Sequence, residues 1–226
     1  MIRFVLVAAV FAALAAPAAA QSRWYAGVSG GASKTHSELV FNRESTITES
    51  ISRSTDFDDR DRAWKAHAGF RLNPVIALEA SYVDLGEHRM LTTTIGGDPV
   101  GVATIDITRK VKGYGVDIVA TAPLGLERFR LFGRAGAFRT TLDASAQLEG
   151  NIIFTNNPDA RHLSVRQHET VFRTGLGMEW QLARNLALRA EYERFAHIGV
   201  AFAIGRSGTT GEADTDMASI GIVATF

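Results

Sequence analysis

Between residues 73 and 86 the side chains change character at every position: Ile76, Leu78, Ala80 and Tyr82 alternate with Ala77, Glu79, Ser81 and Val83. Successive side chains of a strand point to opposite faces, so this stretch reads as a strand with one apolar face and a carboxylate in the middle of the other. A helix would scatter the same four apolar residues around its axis. The pattern recurs. A shift of 110 positions pairs Ala66, Ala68, Phe70 and Leu72 with Leu176, Met178, Trp180 and Leu182, and Ile76, Leu78, Ala80 and Tyr82 with Leu186, Leu188, Ala190 and Tyr192. Asn73-Pro74 joins the first pair of strands as a tight turn, because proline fixes φ and withholds a ladder donor.

The same alternation marks four more strands. Their apolar faces carry Trp24, Ala26, Val28, Gly30 and Ala32; Tyr114, Val116, Ile118 and Ala120; Phe129, Leu131, Gly133, Ala135 and Ala137; and Ala218, Ile220, Ile222, Ala224 and Phe226. Short turns, at 73–74 and 123–126, alternate with four long polar connections at 33–59, 87–108, 141–167 and 197–212. Eight strands with both ends on the short-turn side make an even-stranded, all-β, antiparallel up-and-down barrel.

Alternation alone leaves open whether the apolar faces look into a core or out into lipid. The other face holds Lys65, Arg71, Glu79, Asp117, Arg130, Arg134, Glu179, Arg189, Glu191 and Glu193. The apolar face places Trp24, Trp64, Phe70, Tyr82, Phe129, Trp180, Tyr192 and Phe226 near strand ends and keeps small and aliphatic residues in the middles. Aromatics at both rims with aliphatics between them describe two interfacial girdles around a lipid-facing band. The charges are then the lining: five cations and five anions in a lumen just wide enough for its side chains. Buried charges need partners, so a neutral salt-bridged network is expected there.

The first twenty residues fit this reading. Arg3 is followed by an apolar run from Phe4 to Leu14 and by small residues ending Ala18-Ala19-Ala20, the layout of a secretory signal peptide cut before Gln21. Domains are thus expected at 1–20, cleaved, and 21–226, the barrel. No later segment approaches 18 consecutive apolar residues, so a membrane would be crossed by strands in a closed barrel. The absence of cysteine excludes a disulfide scaffold, a thiolate metal site and a lipid-modified N-terminus. Lys plus Arg and Asp plus Glu are 24 each, so nothing points to nucleic acid as a partner. No cofactor is expected.

Several pieces then add up to a resemblance: Trp24-Tyr25-x-Gly27, Gly69-Phe70-Arg71-Leu72-Asn73-Pro74, Leu78-Glu79-Ala80-x-Tyr82-x-x-Leu85-Gly86, Pro123-Leu124-Gly125, Phe132-Gly133-Arg134-Ala135-Gly136 and the terminal Phe226. In this order they resemble the eight-stranded outer-membrane β-barrel family that includes the OmpA transmembrane domain and the opacity-type surface proteins. They cover the strands and none of the long connections. The resemblance implies short periplasmic turns, four long extracellular loops and a place in the cell outer membrane. It also implies that Ala218, Ile220, Ile222, Ala224 and Phe226 form the signal read by the barrel-assembly machinery, after escort by periplasmic chaperones. Ala224 stands where the family often has an aromatic, a departure expected to weaken that signal without removing it. The peptidoglycan-binding domain that many relatives carry is not expected after Phe226.

The function expected is non-enzymatic: a structural and surface-display barrel with a salt-bridged lumen, in contact with outer-membrane lipid and lipopolysaccharide and offering its loops to a host or surface ligand. A first alternative is a small gated ion channel, opened by exchange among Glu79, Arg134 and Arg189. A large diffusion pore is excluded, since that takes roughly sixteen strands. A second alternative is a hydrolase, because His162-x-Ser164 resembles the histidine and serine of lipid A 3-O-deacylases, with Glu169 as the orienting acid. Both residues are expected in the third long connection, which argues against a built site. Asp56 to Asp61 is acidic enough to attract calcium, yet Arg60 and the irregular ligand spacing favour a solvated loop. His67 is expected to be structural rather than a pH sensor.

Overall fold

The computed structural model describes residues 23–36, 50–58, 60–96, 101–123, 128–150, 162–198, 202–204, 207–209 and 213–226. They form strands β1 (Trp24–His36), β2 (Ser50–Asp58), β3 (Arg60–Arg71), β4 (Ile76–Gly96), β5 (Gly101–Pro123), β6 (Phe129–Gly150), β7 (His162–Ala183), β8 (Leu186–Ile198), β9 (Phe202–Ile204), β10 (Ser207–Thr209) and β11 (Ala213–Thr225). Eight of them close on themselves in the order β1-β3-β4-β5-β6-β7-β8-β11, all neighbours antiparallel. Strand β2 adds to the upper part of β4, and β9 pairs with β10 separately. The expected signal peptide lies outside the described residues.

The turn at Asn73-Pro74 is held as its chemistry dictates. The Asn73 side-chain oxygen accepts the backbone N–H groups of Val75 at 2.8 Å and Ile76 at 2.7 Å. That local bond is the usual way asparagine tightens a chain reversal.

Following directly paired residues around the barrel fixes its geometry. Phe129 faces Trp180, then Leu188, Ile222, Val28, Ala66, Tyr82 and Tyr114 in turn, and the circuit returns to β6 at Arg139, ten residues above its start. With ~3.3 Å per residue and ~4.8 Å between strands, this stagger tilts the strands by about 40° and sets a backbone diameter of roughly 16 Å. Phe129 and Arg139 are then about 25 Å apart along the axis, the height of the apolar band of a membrane barrel.

The face assignment read from alternation holds through this band. Lys65, His67, Glu79, Ser81, Asp117, Arg134, Arg173, Glu179, Arg189, Glu191 and Glu193 are buried inside, and Leu78, Tyr114, Val116, Ile118, Leu131, Leu176, Met178 and Ile220 are exposed outside. The interior is layered, which was not expected from the charges alone. Tyr25, Ala77, Val119, Phe132 and Val223 form an apolar layer below them. Val83, Leu85, Val111, Phe138, Leu142, Val171, Phe195 and Met217 form a thicker one above.

The connections expected as loops at 87–108 and 141–167 are largely strand. Strands β4 to β7 run on past the band as two tall hairpins, with Gly96 paired to Gly101 and Gln147 to His162. Their outer faces carry cross-strand ion pairs, Arg89 with Asp106, Lys110 with Glu87 at 2.8 Å and Arg166 with Asp143 at 2.5 Å. The hydrogen bonds from Arg89 and Arg166 hold the Asp106 and Asp143 carboxyls below the usual range.

A bulge marks where the band ends. Gly86 has φ +84° and accommodates Asp61 at a point where a Cβ would collide with it. The Asp61 carboxylate accepts the N–H groups of Glu87 at 2.5 Å and Arg62 at 2.6 Å, and the Glu87 bond lowers its pKa. The extra residue reverses parity, so Leu85 and then His88, Met90 and Thr92 are buried. The acidic run weighed for calcium is divided: Asp56 and Asp58 end β2 while Asp61 is committed to this bulge. Among the described residues no group of His, Asp and Glu is arranged to hold a metal ion.

Candidate functional site

The charged layer is centred on Glu79, which β4 brings to the middle of the lumen. Its carboxylate accepts hydrogen bonds from Arg134 on β6, from Arg189 Nη1 on β8 at 2.7 Å and from the Tyr25 hydroxyl on β1 at 3.0 Å. Arg189 donates from Nε and Nη2 to Glu179 Oε1 at 2.9 and 2.6 Å, and its Nη1 lies 3.2 Å from His67 Nε2. Arg134 reaches Glu193 at 3.0 Å and Glu191 at 3.1 Å. Lys65 bridges the same two glutamates, with Glu193 at 2.8 Å. Strands β3, β4, β6 and β8 are thus joined through a network whose members are nearly all shut away from solvent.

Arg173 completes it and was missed in the sequence. It binds Asp117 through two nitrogens and donates to Ser81 Oγ at 2.8 Å. Its signal was available, since it shares parity on β7 with Gly175, Gly177 and Glu179. Tyr25 was also missed, because a lone tyrosine beside Trp24 gave no hint of a buried hydroxyl. Arg130 departs from the expectation in the other direction: it is exposed at the lower mouth and enters no ion pair among the described residues.

Arginine planes also tie the layer to its apolar neighbours. Arg173 stacks toward Phe138 at 5.1 Å and Phe195 at 5.5 Å above, and Arg189 toward Phe132 at 4.7 Å and Tyr25 at 5.5 Å below. Such contacts favour a desolvated cation. The lower mouth, lined by Tyr25, Arg71, Arg130, Glu179 and Arg189, narrows to a recess of about 20 Å³. That is room for about one water molecule.

Inward glycines make space for the large side chains. A Cβ at Gly69 would strike the Tyr25 ring, and one at Gly177 would strike Phe132.

Outside, the expected aromatics sit at the two rims. Trp24 meets Phe70 at 4.9 Å and Phe129 stacks on Trp180 at 5.7 Å near the lower rim; Trp64 meets Tyr82 at 5.3 Å at the upper one. Tyr192 and Phe226 are also exposed outward, and Tyr114 and Phe172, 63% and 60% exposed, join the upper girdle; alternation placed Tyr114 on the apolar face without marking it as a rim residue and did not reach Phe172. The outward face of β11 presents Ala218, Ile220 and Ile222, while Ala224 is nearly covered between Ala26 and Leu186.

His162 and Ser164 lie on β7 rather than in a loop, exposed on one face, and Glu169 is of opposite parity. Seven residues of strand, about 23 Å, separate His162 from Glu169, so no triad forms.

A closed eight-stranded barrel with an ionic, sealed interior, an apolar exterior between two aromatic girdles and hairpins rising past one rim is an outer-membrane β-barrel. The chain matches the family described as outer membrane protein beta-barrel domain over residues 4–226, and it belongs to that family. No curated protein matches it in sequence. Among solved structures it is similar to Neisserial surface protein A, at 14% identity over 91% of this chain and 98% of that one with a TM-score of 0.50. It is also similar to the outer membrane protein OprG from Pseudomonas aeruginosa, at 12% identity over 91% and 98% with a TM-score of 0.50. At these identities the agreement is one of fold.

Proposed function

We propose that the protein is a non-conducting, non-catalytic barrel of the bacterial outer membrane that anchors a β-sheet extension at the cell surface. The supporting observation is the layering of the lumen. Ions would have to cross a layer of buried ion pairs and two apolar layers, and a dry apolar constriction is a barrier in itself. The same rigidity suits a stem for strands β4 to β7, which rise beyond the membrane and display His162, Ser164, Arg166 and His168 to solvent.

Residues 1–20 are, on this reading, removed as a signal peptide. The outward face of β11, ending in Phe226, is offered to the assembly machinery, and the rim contacts lipopolysaccharide.

Planar-bilayer recordings test the sealed lumen. The purified protein is expected to give no conductance steps, and steps that Glu79→Ala or Arg134→Ala abolish would replace this reading with the channel.

Orientation is tested by labelling, which the absence of native cysteine makes clean. With a membrane-impermeant maleimide on intact cells, Ser164→Cys is expected to react and Arg184→Cys, in the β7–β8 turn, to react only after the outer membrane is opened. The reverse pattern would invert the topology.

A further inference from the structure

The outer face of β6 is unlike the rest of the barrel wall. Gly133, Ala135 and Ala137 follow one another where neighbouring strands present large side chains: Ile118 on β5, Leu176 on β7, 72% exposed, and Tyr192 on β8. The result is a groove of about 680 Å³ on the lipid side, floored on β6 by Gly133 and Ala135 and flanked by Ile118, Leu176 and Tyr192. This is within the roughly 300–1,000 Å³ range of ligand clefts.

Its upper end is positively charged. The next outward residue on β6 is Arg139, whose Nη1 donates to Thr170 Oγ1 at 3.1 Å and is thereby held on the β7 side, above the groove. Lys112 stands one strand over on β5, across from Thr141. Of the nearby carboxylates, Asp143 pairs with Arg166 at 2.5 Å, and Asp84, opposite Lys112, accepts the Gly86 N–H at 3.0 Å. Arg194, at the far wall, is paired with Asp214 at 2.8 Å. Arg139 and Lys112 make no ion pair among the described residues, and set against Asp84, whose charge the neutral Gly86 N–H does not cancel, they leave this end of the groove a surplus of one cation.

Height completes the argument. Arg139 lies one full circuit of the barrel above Phe129, about 25 Å, which is where headgroups of the outer leaflet begin. Tyr114 is its direct neighbour on β5, and Phe172 is next along β7, as interfacial aromatics should be.

Resting on the proposed contact of the rim with lipopolysaccharide, we infer that this groove is a lipid A site: one acyl chain lies along Gly133 and Ala135, and a lipid A phosphate is bound above it by Arg139 and Lys112. A planar guanidinium suits a phosphate through paired N–H donors, and the ammonium adds a second point of charge.

The full-length protein, purified in detergent, is tested by native mass spectrometry with hexa-acylated lipid A, dephosphorylated lipid A and phosphatidylglycerol. Retention of lipid A is expected to fall about tenfold or more in the double variant R139A/K112A, each cation near a membrane surface contributing roughly a fivefold effect. Ala135→Phe, which fills the groove without touching the charge, is expected to cause a similar loss, and unchanged heat-dependent gel mobility shows that it has folded. Arg62→Ala, on the same rim but on β3, is expected to leave retention unchanged. Equal retention by the wild type and R139A/K112A would overturn the proposal. So would a loss as large in Arg62→Ala, which would mean diffuse charge, or retention of phosphatidylglycerol as strong as that of lipid A.

Discussion

Glu79→Ala is expected to remove about 3–5 kcal/mol of unfolding free energy, the cost of breaking a buried ion pair from one side. The loss is large because the carboxylate serves three strands at once. Without it Arg134 and Arg189 keep their charge in a space sealed above and below, and the Tyr25 hydroxyl loses its acceptor. Glu79→Gln retains an acceptor for Tyr25 and one arginine but not the charge, and is expected to fall between the two. By contrast Asp106→Ala breaks the exposed pair with Arg89 on the outer hairpin, and its effect is expected to be too small to resolve. The measurement is urea unfolding in lipid vesicles, followed by the fluorescence of Trp24, Trp64 and Trp180 as they leave the membrane rim. A Glu79→Ala barrel within 1 kcal/mol of wild type would mean that the pairs merely fill space.

Much of this was legible in the sequence, for a reason the structure makes clear. In the band, one face must satisfy lipid and the other must satisfy a narrow lumen, so composition separates cleanly by parity, as in Ile76 to Val83. Above the band both faces meet water or a small interior. In β6 the inward Leu142, Ala144 and Ala146 alternate with Thr141, Asp143 and Ser145, a contrast too weak to read as strand. The bulge at Gly86 compounds this, since one inserted residue exchanges the faces and makes 87–96 look aperiodic when counted in step with Ile76. Arg173 is hidden for a related reason: it falls between the polar stretch that ends at Gln167 and the repeat that begins at Leu176. The apolar layers belong to the same inward parity, as Val83, Val119 and Phe132, but single apolar residues among charges carry no signal of their own. Their effect is collective, because each ring matters only when the register places Phe138 against Phe195, 4.9 Å apart, over the ionic layer.

Ile118→Arg tests the other half of the design and is expected to destabilise the barrel by about 2–4 kcal/mol in vesicles. Ile118 is 57% exposed, near the middle of the band on β5. In a protein surrounded by water, replacing so exposed a side chain by arginine would change stability by no more than about 0.5 kcal/mol. In lipid the guanidinium must snorkel or draw water into hydrocarbon, and the cost falls with its distance from the midplane. Ala122, on the same strand and the same face but at the lower rim, supplies the depth control: Ala122→Arg is expected to cost about 0–1 kcal/mol. The contrast between these two positions, rather than either value alone, carries the argument, because local packing and strand propensity affect both. If the two substitutions prove equally mild, the outward face is not solvated by acyl chains, and a lumen filled with charge loses its reason, since an ionic interior around an apolar exterior is stable only where water is on the wrong side of neither.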